Sequence, residues 1–563
     1  MNKRHAASHI LLGGMICSLA ASVLGILSLR AEEKPSGELL YNGIRLPATW
    51  PPREPCTREP MTVPYLKHLP DVVPIDVGRQ LFIDDFLVQA TTLRRVLHQP
   101  EESAANPVVR PDQTWDKLGK APSAMVFSDG VWWDPAGQRF QMWYMGGLFR
   151  TTCYAESADG LHWQKPALDV ETGTSVVVRA VRDSSTVWLD HHEKESRRRY
   201  KMLTISGFQY VLRESADGIH WSAPAATSPK CGDRSTIFYN PFRKVWVLSL
   251  RNWATPRARK YREHAELTKA LAWTAGDLVP WVGADRLDPH HPDPQFRDIE
   301  PQLYNLDAVA YESVLLGLFS IWQGPENGTC NKLKIQKRNE VLVGFSRDGF
   351  HWDRPDRRPF LAVNPVKDAW NWGNVQSAGG GCLVVGDKLY FYHSGRALCD
   401  EFWDGNSSTG LAVLRRDGFA SMDAGTSPGT LTTRPLAFHG KRLFVNAAVA
   451  GGTLQAELLD RDGKVIPPFS LANCVPVTAD KTLQEVKFRG GEDLSSLAGR
   501  PVRVRFVLRN GSLYSFWVSP EESGASQGYV AAGGPGFSAD VDDAGVAAYA
   551  AAEKITAPGR ERH

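Results

Sequence analysis

At 563 residues the chain is too long for one ordinary core, so two domains or one large repeat array are expected. Its 42% apolar and 23% charged residues exclude a disordered chain, and a net charge of +3 excludes a dedicated nucleic-acid surface. The densest basic run, Arg257-Ala258-Arg259-Lys260-Tyr261-Arg262, is short and meets Glu263 at once, which reads as a solvated loop.

The chain opens with Lys3, Arg4 and His5, an apolar stretch from Ile10 to Leu27, and Ser28-Leu29-Arg30-Ala31. This is the layout of a signal peptide over residues 1–31, and it predicts a secreted or periplasmic protein with no membrane contact after cleavage. An uncleaved anchor is the alternative, since the run approaches spanning length, but Gly13, Gly14, Ser18 and Ser22 dilute it. The eight cysteines, Cys17 among them, are scattered without Cys-x-x-Cys spacing, so neither a disulfide framework nor a zinc site is expected.

Residues 32–75 are proline-rich and aperiodic, which predicts an N-terminal arm. The first strong strand, Leu81-Phe82-Ile83-Asp84-Asp85-Phe86-Leu87-Val88, opens a repeat region over 76–430. There a Ser-x-Asp-Gly-x-His-Trp element recurs cleanly at 157–163, 215–221 and 346–352. Worn copies run from Ala265-Glu266-Leu267 to Trp273 and over Leu414-Arg415-Arg416-Asp417-Gly418-Phe419. Asp-Gly supplies a positive-φ turn, Ser and Asp bond the turn backbone, and Trp plugs the gap between neighbouring units. Each unit opens with β-branched and aromatic runs joined by a turn, as in Val131-Trp132-Trp133-Asp134-Pro135 followed by Arg139-Phe140-Gln141-Met142-Trp143-Tyr144. Four strands per unit and a period of roughly 50–80 residues predict an all-β fold, a five-bladed β-propeller.

After Leu431 the pattern alternates with a period of two, as in Val502-Arg503-Val504-Arg505-Phe506-Val507-Leu508. That predicts a small antiparallel β-sandwich over 431–520, followed by a loose Gly/Ala-rich tail over 521–563.

In a propeller the residues ahead of each innermost strand converge on one mouth of the central channel. Aligning the units places Asp183 before Ser184-Ser185-Thr186-Val187 and Asp233 before Arg234-Ser235-Thr236-Ile237. Asp298-Ile299-Glu300-Pro301-Gln302 and Trp372-Gly373-Asn374-Val375-Gln376 stand at the same place in the last two units, and Lys120-Ala121-Pro122-Ser123 in the first. Carboxylates at one mouth suit glycoside hydrolysis, where one protonates the leaving oxygen and another attacks or activates water. Strand-end capping is the plainer role for any single aspartate. Asp183, Asp233 and Glu300 are the candidate catalytic set. Arg234, Asp298, Trp372, Asn374, His393, Arg396 and Asp85 are candidate substrate-binding residues. Most of the eighteen tryptophans occupy repeat positions, whereas Trp370, Trp372 and Trp403 fall outside the frame and suit sugar stacking. Asp288-Pro289-His290-His291-Pro292-Asp293 reads as a solvated loop, so neither a metal nor a cofactor is expected.

A secreted five-bladed propeller with mouth carboxylates and a following sandwich resembles the superfamily of glycoside hydrolase families 32, 43, 62 and 68, the invertases, fructanases and arabinanases. The resemblance spans roughly residues 75–520 and implies hydrolysis of an O-glycosyl bond in an oligo- or polysaccharide. It implies a second-blade acid at Asp183 or Asp233 and a general acid at Glu300. The Asn-Asp-Pro-Asn-Gly, Arg-Asp-Pro and Glu-Cys segments of family 32 are not intact, and Asp84, Asp85 and Asp129 are the nearest acids to the blade-one nucleophile position. The turn element also resembles the sialidase Asp-box, one residue shorter. An exported glycosidase is the leading expectation, with a non-catalytic carbohydrate-binding propeller or an interaction scaffold as alternatives.

Overall fold

The structure, a computed structural model, describes residues 37–253, 256–367, 369–397, 405–491 and 493–556. The signal segment, Cys17 and Trp403 lie outside these residues. The described chain is mostly β.

Five antiparallel sheets follow one another. The first runs Ala124–Asp134, Arg139–Gly146, Thr151–Ser157, Val176–Arg179, and the second Ser185–Leu189, Tyr200–Ser206, Gln209–Ser215, Ala226–Lys230. The third is Thr236–Asn240, Val245–Arg251, Ala258–His264, Val279–Gly283. In the fourth, Gln302–Glu312, Val314–Gly324 and Arg338–Ser346 pair in order, and Tyr529–Val530 adds to the free edge of the first of them. In the fifth, Gly373–Ser377 and Leu383–Val385 share the partner Lys388–Arg396, which pairs Ser407–Arg415, and the outer strand is Glu101–Glu102 from ahead of the first sheet.

The repeated turn is a self-contained clamp. In the second sheet Ser215 Oγ accepts the Gly218 amide at 2.9 Å, Asp217 Oδ1 accepts the Ile219 and His220 amides at 2.9 Å, and Oδ2 meets His220 Nδ1 at 2.7 Å. The copies at Ser157 and Ser346 make the same bonds. The turn glycine faces the neighbouring sheet: Trp143 Nε1 donates to Gly218 O at 2.7 Å, and Tyr392 of the fifth sheet donates to Gly160 O at 2.5 Å. A Cβ at Gly218 would stand 2.4 Å from the Trp143 ring, so glycine is required for this approach as well as for its φ of +79°. Trp163 and Trp221 donate back to their own turn carbonyls, and the turn tryptophans also pack on the neighbouring sheet, Trp163 5.5 Å from Tyr392 and Trp352 6.3 Å from Trp281 of the third sheet.

A second core lies between two further antiparallel sheets. One orders Asp480–Glu485, Arg442–Ala448, Gly511–Ser519, Ala420–Ala424 and Arg94–Leu97, and the other Val88–Thr91, Gly429–Thr433, Arg503–Arg509 and Thr453–Leu459. Val504, Phe506 and Leu508 point inward at alternate positions of their strand, against Phe82, Phe86 and Phe516. Residues 80–97, which the hydrophobic pattern placed at the start of the repeat, are shared: Phe82, Phe86, Leu87 and Val88 pack in this core, while Leu81 and Ile83 pack in the core of the five sheets. Their apolar run fits either core, and the pairing of Gln80–Leu81 with strand Gly511–Ser519 more than 400 residues on is invisible to local pattern.

The tail differs from expectation too. Ala531, Ala532, Phe537, Ala548 and Ala552 are buried, because their small side chains let the backbone lie flat on the sheets. Trp133 donates its amide to Ala532 O at 3.0 Å and Val384 donates to Gly533 O at 2.9 Å, so the segment crosses the far ends of the inner strands. The ends where those strands begin are left for the site. Beside the tail, Arg79 and Arg416 share Glu312 and pair with Asp417 and Asp542 respectively, all with fully buried side chains.

Candidate functional site

The residues just ahead of the inner strands of the second and third sheets share a neighbour, since Asp183 and Asp233 both act on Arg251. Asp183 donates its amide to Ile205 O at 2.8 Å and its carboxylate accepts the Ser184 amide at 2.8 Å. It has no ion-pair partner among the described residues. Asp233, at the equivalent place, pairs with Arg251. Arg234 adopts a left-handed φ of 57°, which lays its guanidinium 3.6 Å from the Phe127 ring centroid and lets it donate to Phe127 O and Ser128 Oγ, each at 3.3 Å. Ser128 and Asn374 also have positive φ, at 64° and 55°. Strain of roughly 1–3 kcal/mol per residue persists where surrounding structure holds it, commonly at functional sites.

Deeper in, Asp307 accepts from Ser128 Oγ at 2.9 Å, Asn305 Nδ2 at 2.8 Å and Ser377 Oγ at 2.6 Å, which ties the first, fourth and fifth sheets together. Asp129 is held by Arg182. Burial raises the pKa of both carboxyls against these neighbours.

Above this layer stand residues that sequence reasoning missed. Arg259 donates to Arg234 O at 2.8 Å, Leu303 O at 3.0 Å and Tyr304 O at 2.6 Å. Arg257 packs over the Tyr304 and Trp322 rings at 5.3 and 5.2 Å. Burial opposes ionisation of Tyr304, yet the Lys337 ammonium and then Arg234 more than offset it and bring the phenol down to about 8. Burial lowers Arg259 to about 9, reinforced by Arg251 and Arg234. Asp183 acts electrostatically on Arg234, Arg251 and Tyr304, so all of these share one neighbourhood. The run at 257–262 is thus a correction. It is strand, not solvated loop, with Arg259 and Tyr261 buried at alternate positions, and that period of two was the available signal.

An exposed aromatic pair rises beside these groups. Phe208 and Trp253 are 52% and 61% exposed with ring centroids 5.4 Å apart. Phe208 O accepts the Cys231 amide at 2.8 Å, two residues from Asp233, and Trp253 follows Arg251 by two.

The remaining candidates sit as follows. Glu300 is exposed and pairs with Arg58 of the N-terminal segment. It lines a cavity of about 560 Å³ with Arg58, Pro256, Arg286, His290 and Gln302. Asp298 is exposed, and Asp85 is exposed and paired with Arg95 among the N-terminal strands. Asn374 accepts from Asn339 Nδ2 at 2.5 Å and Gln376 Nε2 at 2.9 Å. His393 is fully buried, 5.3 Å from the Trp370 ring and 3.0 Å from Glu102 Oε1. Arg396 is buried opposite Gly373, and Trp372 is half-buried. Asp288 is buried under Arg354 and Arg357. No cluster of three or more potential metal ligands occurs among the described residues.

No protein-family model and no curated protein matches the sequence. Solved structures do align with it, and they include glycoside hydrolases of the superfamily that the sequence resembles. An N-acetylgalactosamine deacetylase from F. plautii, solved with blood group B trisaccharide, aligns at TM-score 0.37 and 14% identity over 59% of this chain and 96% of its own. A fructofuranosidase from Schwanniomyces occidentalis, solved with fructosylnystose, aligns at 0.33 and 10% over 75% and 98%. An arabinoxylan arabinofuranohydrolase of glycoside hydrolase family 43 from Bacillus subtilis, solved with cellotetraose, aligns at 0.32 and 11% over 74% and 98%. Likenesses this distant carry no argument about activity.

Proposed function

We propose that the chain is a five-bladed β-propeller with an appended β-sandwich, exported, and that it hydrolyses O-glycosyl bonds of an oligo- or polysaccharide at the mouth where the inner strands begin. The observation that carries this is the paired placement of Asp183 and Asp233. They come from consecutive sheets at the same position, with the exposed Phe208–Trp253 pair beside them to stack a sugar ring. Asp233, paired with Arg251, serves as base or nucleophile. The proton donor is Asp183, or Glu300 once Arg58 is displaced from it.

The test is release of reducing sugar from a panel of glycans by Asp183→Asn, Asp233→Asn and Glu300→Gln variants. Loss of about 10²-fold or more in Asp233→Asn and in one of the other two is expected. Full activity in Asp183→Asn and Asp233→Asn together would end the assignment. The pairing of Asp233 with Arg251 and of Glu300 with Arg58 favours one second reading, a non-catalytic carbohydrate-binding mouth. Glycan binding with no sugar released would select it.

A further inference from the structure

Two kinds of buried arginine stand out among the described residues. Arg79, Arg182, Arg347, Arg354 and Arg416 each meet at least one carboxylate. Arg234 and Arg259, each 1% exposed, do not: their hydrogen bonds go to carbonyl oxygens and one hydroxyl, and the Nε of each is buried without a partner. Arg257 adds a buried Nε and Nη1 with no acceptor among the described residues. With Arg251 and Lys337 these make five cations around Tyr304; Asp183 acts on Arg234 and Arg251, Asp307 and the Arg182-bound Asp129 act on Arg234 from below, and Glu326 acts on Arg251. A buried guanidinium with no carboxylate in hydrogen-bond contact is costly, and five cations together repel one another. The same residues would gain most from an oxyanion, whose geometry the planar guanidinium fork matches in two parallel hydrogen bonds.

We propose that the ligand of this mouth is an anionic saccharide, and that its carboxylate or sulfate ester is received by Arg257, Arg251 and Lys337 over the Tyr304 ring. This rests on the mouth being a saccharide site and names the class of sugar it takes. Arg234 and Arg259 sit below, fixed by their carbonyl bonds, and supply the field of the pocket floor. The Phe208–Trp253 pair offers the apolar face for the ring of the same sugar.

Calorimetric binding to the full chain tests this with matched ligands: an oligouronate, its methyl ester, a sulfated oligosaccharide and a neutral one. The expected result is that one anionic ligand binds at least about tenfold tighter than its uncharged counterpart, with affinity falling as salt rises. The uronate and sulfate arms tell the two sources apart. Arg257→Gln and Lys337→Met should each lose most of that preference while their melting transitions remain cooperative. The comparison of acid with methyl ester uses only the unaltered protein, so it stands even if a variant fails to fold. Equal binding of charged and uncharged sugars would overturn the inference and leave the saccharide reading intact. Binding of inorganic sulfate with no saccharide bound would overturn both.

Discussion

Lys337 Nζ donates to the phenol oxygen of Tyr304 at 3.0 Å, and its ammonium stands 4.9 Å from the centroid of the same ring. The bond places a positive charge where a tyrosinate would form, inside a pocket that burial alone would keep neutral. Against a usual value of 10.0, Tyr304 is brought down to about 8. Its ionisation therefore favours the folded state. That contribution is complete above about 10 and is lost as pH falls through about 8. Ultraviolet difference titration should find one tyrosine ionising near 8, and Lys337→Met should move it upward. The melting gap between the wild type and Tyr304→Phe should widen from pH 8 to 10, and a gap independent of pH would refute the assignment.

Asp353 titrates in the opposite sense. Burial, and then the nearby Asp84 carboxylate, raise it to about 6 from 3.8. The folded state holds the proton more tightly than the unfolded chain, so stability is full below the unfolded value and declines as pH rises through about 6. Asp353→Asn should remove that decline and stabilise the protein at pH 7 by on the order of 2 kcal/mol relative to pH 4. Denaturant unfolding of both proteins at the two pH values would decide it.

The turn glycines separate conformational from steric cost. Gly218 and Gly173 share a φ of +79°, but a Cβ at Gly173 meets nothing within 4 Å, whereas one at Gly218 meets the Trp143 ring. Gly173→Ala should cost about 1–2 kcal/mol for its φ alone. Gly218→Ala should cost about 1–3 kcal/mol more by forcing the second sheet off the first. Equal losses in thermal unfolding would mean that the turn does not brace the junction.

The buried pair of Arg416 and Asp542 binds the C-terminal segment to the turn after the fifth sheet's strand Ser407–Arg415, with Asp542 Oδ2 accepting from Arg416 at 2.8 Å. Among the described residues, removing Asp542 leaves Arg416 only Glu312, which it shares with Arg79. Asp542→Ala is expected to cost about 3–5 kcal/mol. A double-mutant cycle with Arg416→Met should recover part of this loss, and purely additive losses would show that the two act independently.

What was legible in the sequence was local. Ser-x-Asp-Gly-x-His-Trp needs nothing beyond its own seven residues to form its clamp, so it reads at once and counts out the strands ahead of Asp183 and Asp233. Long-range partners leave no such trace. The run Leu81–Val88 is apolar enough for either core and serves both, with Leu81 and Ile83 in one and Phe82 and Phe86 in the other, beside a pairing of Gln80–Leu81 with Gly511–Ser519. Arg257 and Arg259 looked like solvent charges because a basic run in a soluble protein usually is one. Arg259 is held by the backbone carbonyls of Arg234, Leu303 and Tyr304, and Arg257 by the rings of Tyr304 and Trp322, all from elsewhere in the chain. Asp183 and Asp233 were visible as positions, while the arginines gathered around Tyr304 were not.

Glu101–Glu102 forms the outer edge of the fifth sheet, and Tyr529–Val530 the inner edge of the fourth. The order of synthesis is therefore not the order of completion. The segment holding Glu101 leaves the ribosome early and waits for about 300 residues before its partner strand, Ser407–Arg415, exists. The fourth sheet in turn stays unfinished until residues 529–530 have emerged. A nascent chain of this protein is thus an open array of half-built sheets, and each of these two is closed by a segment far from it in sequence.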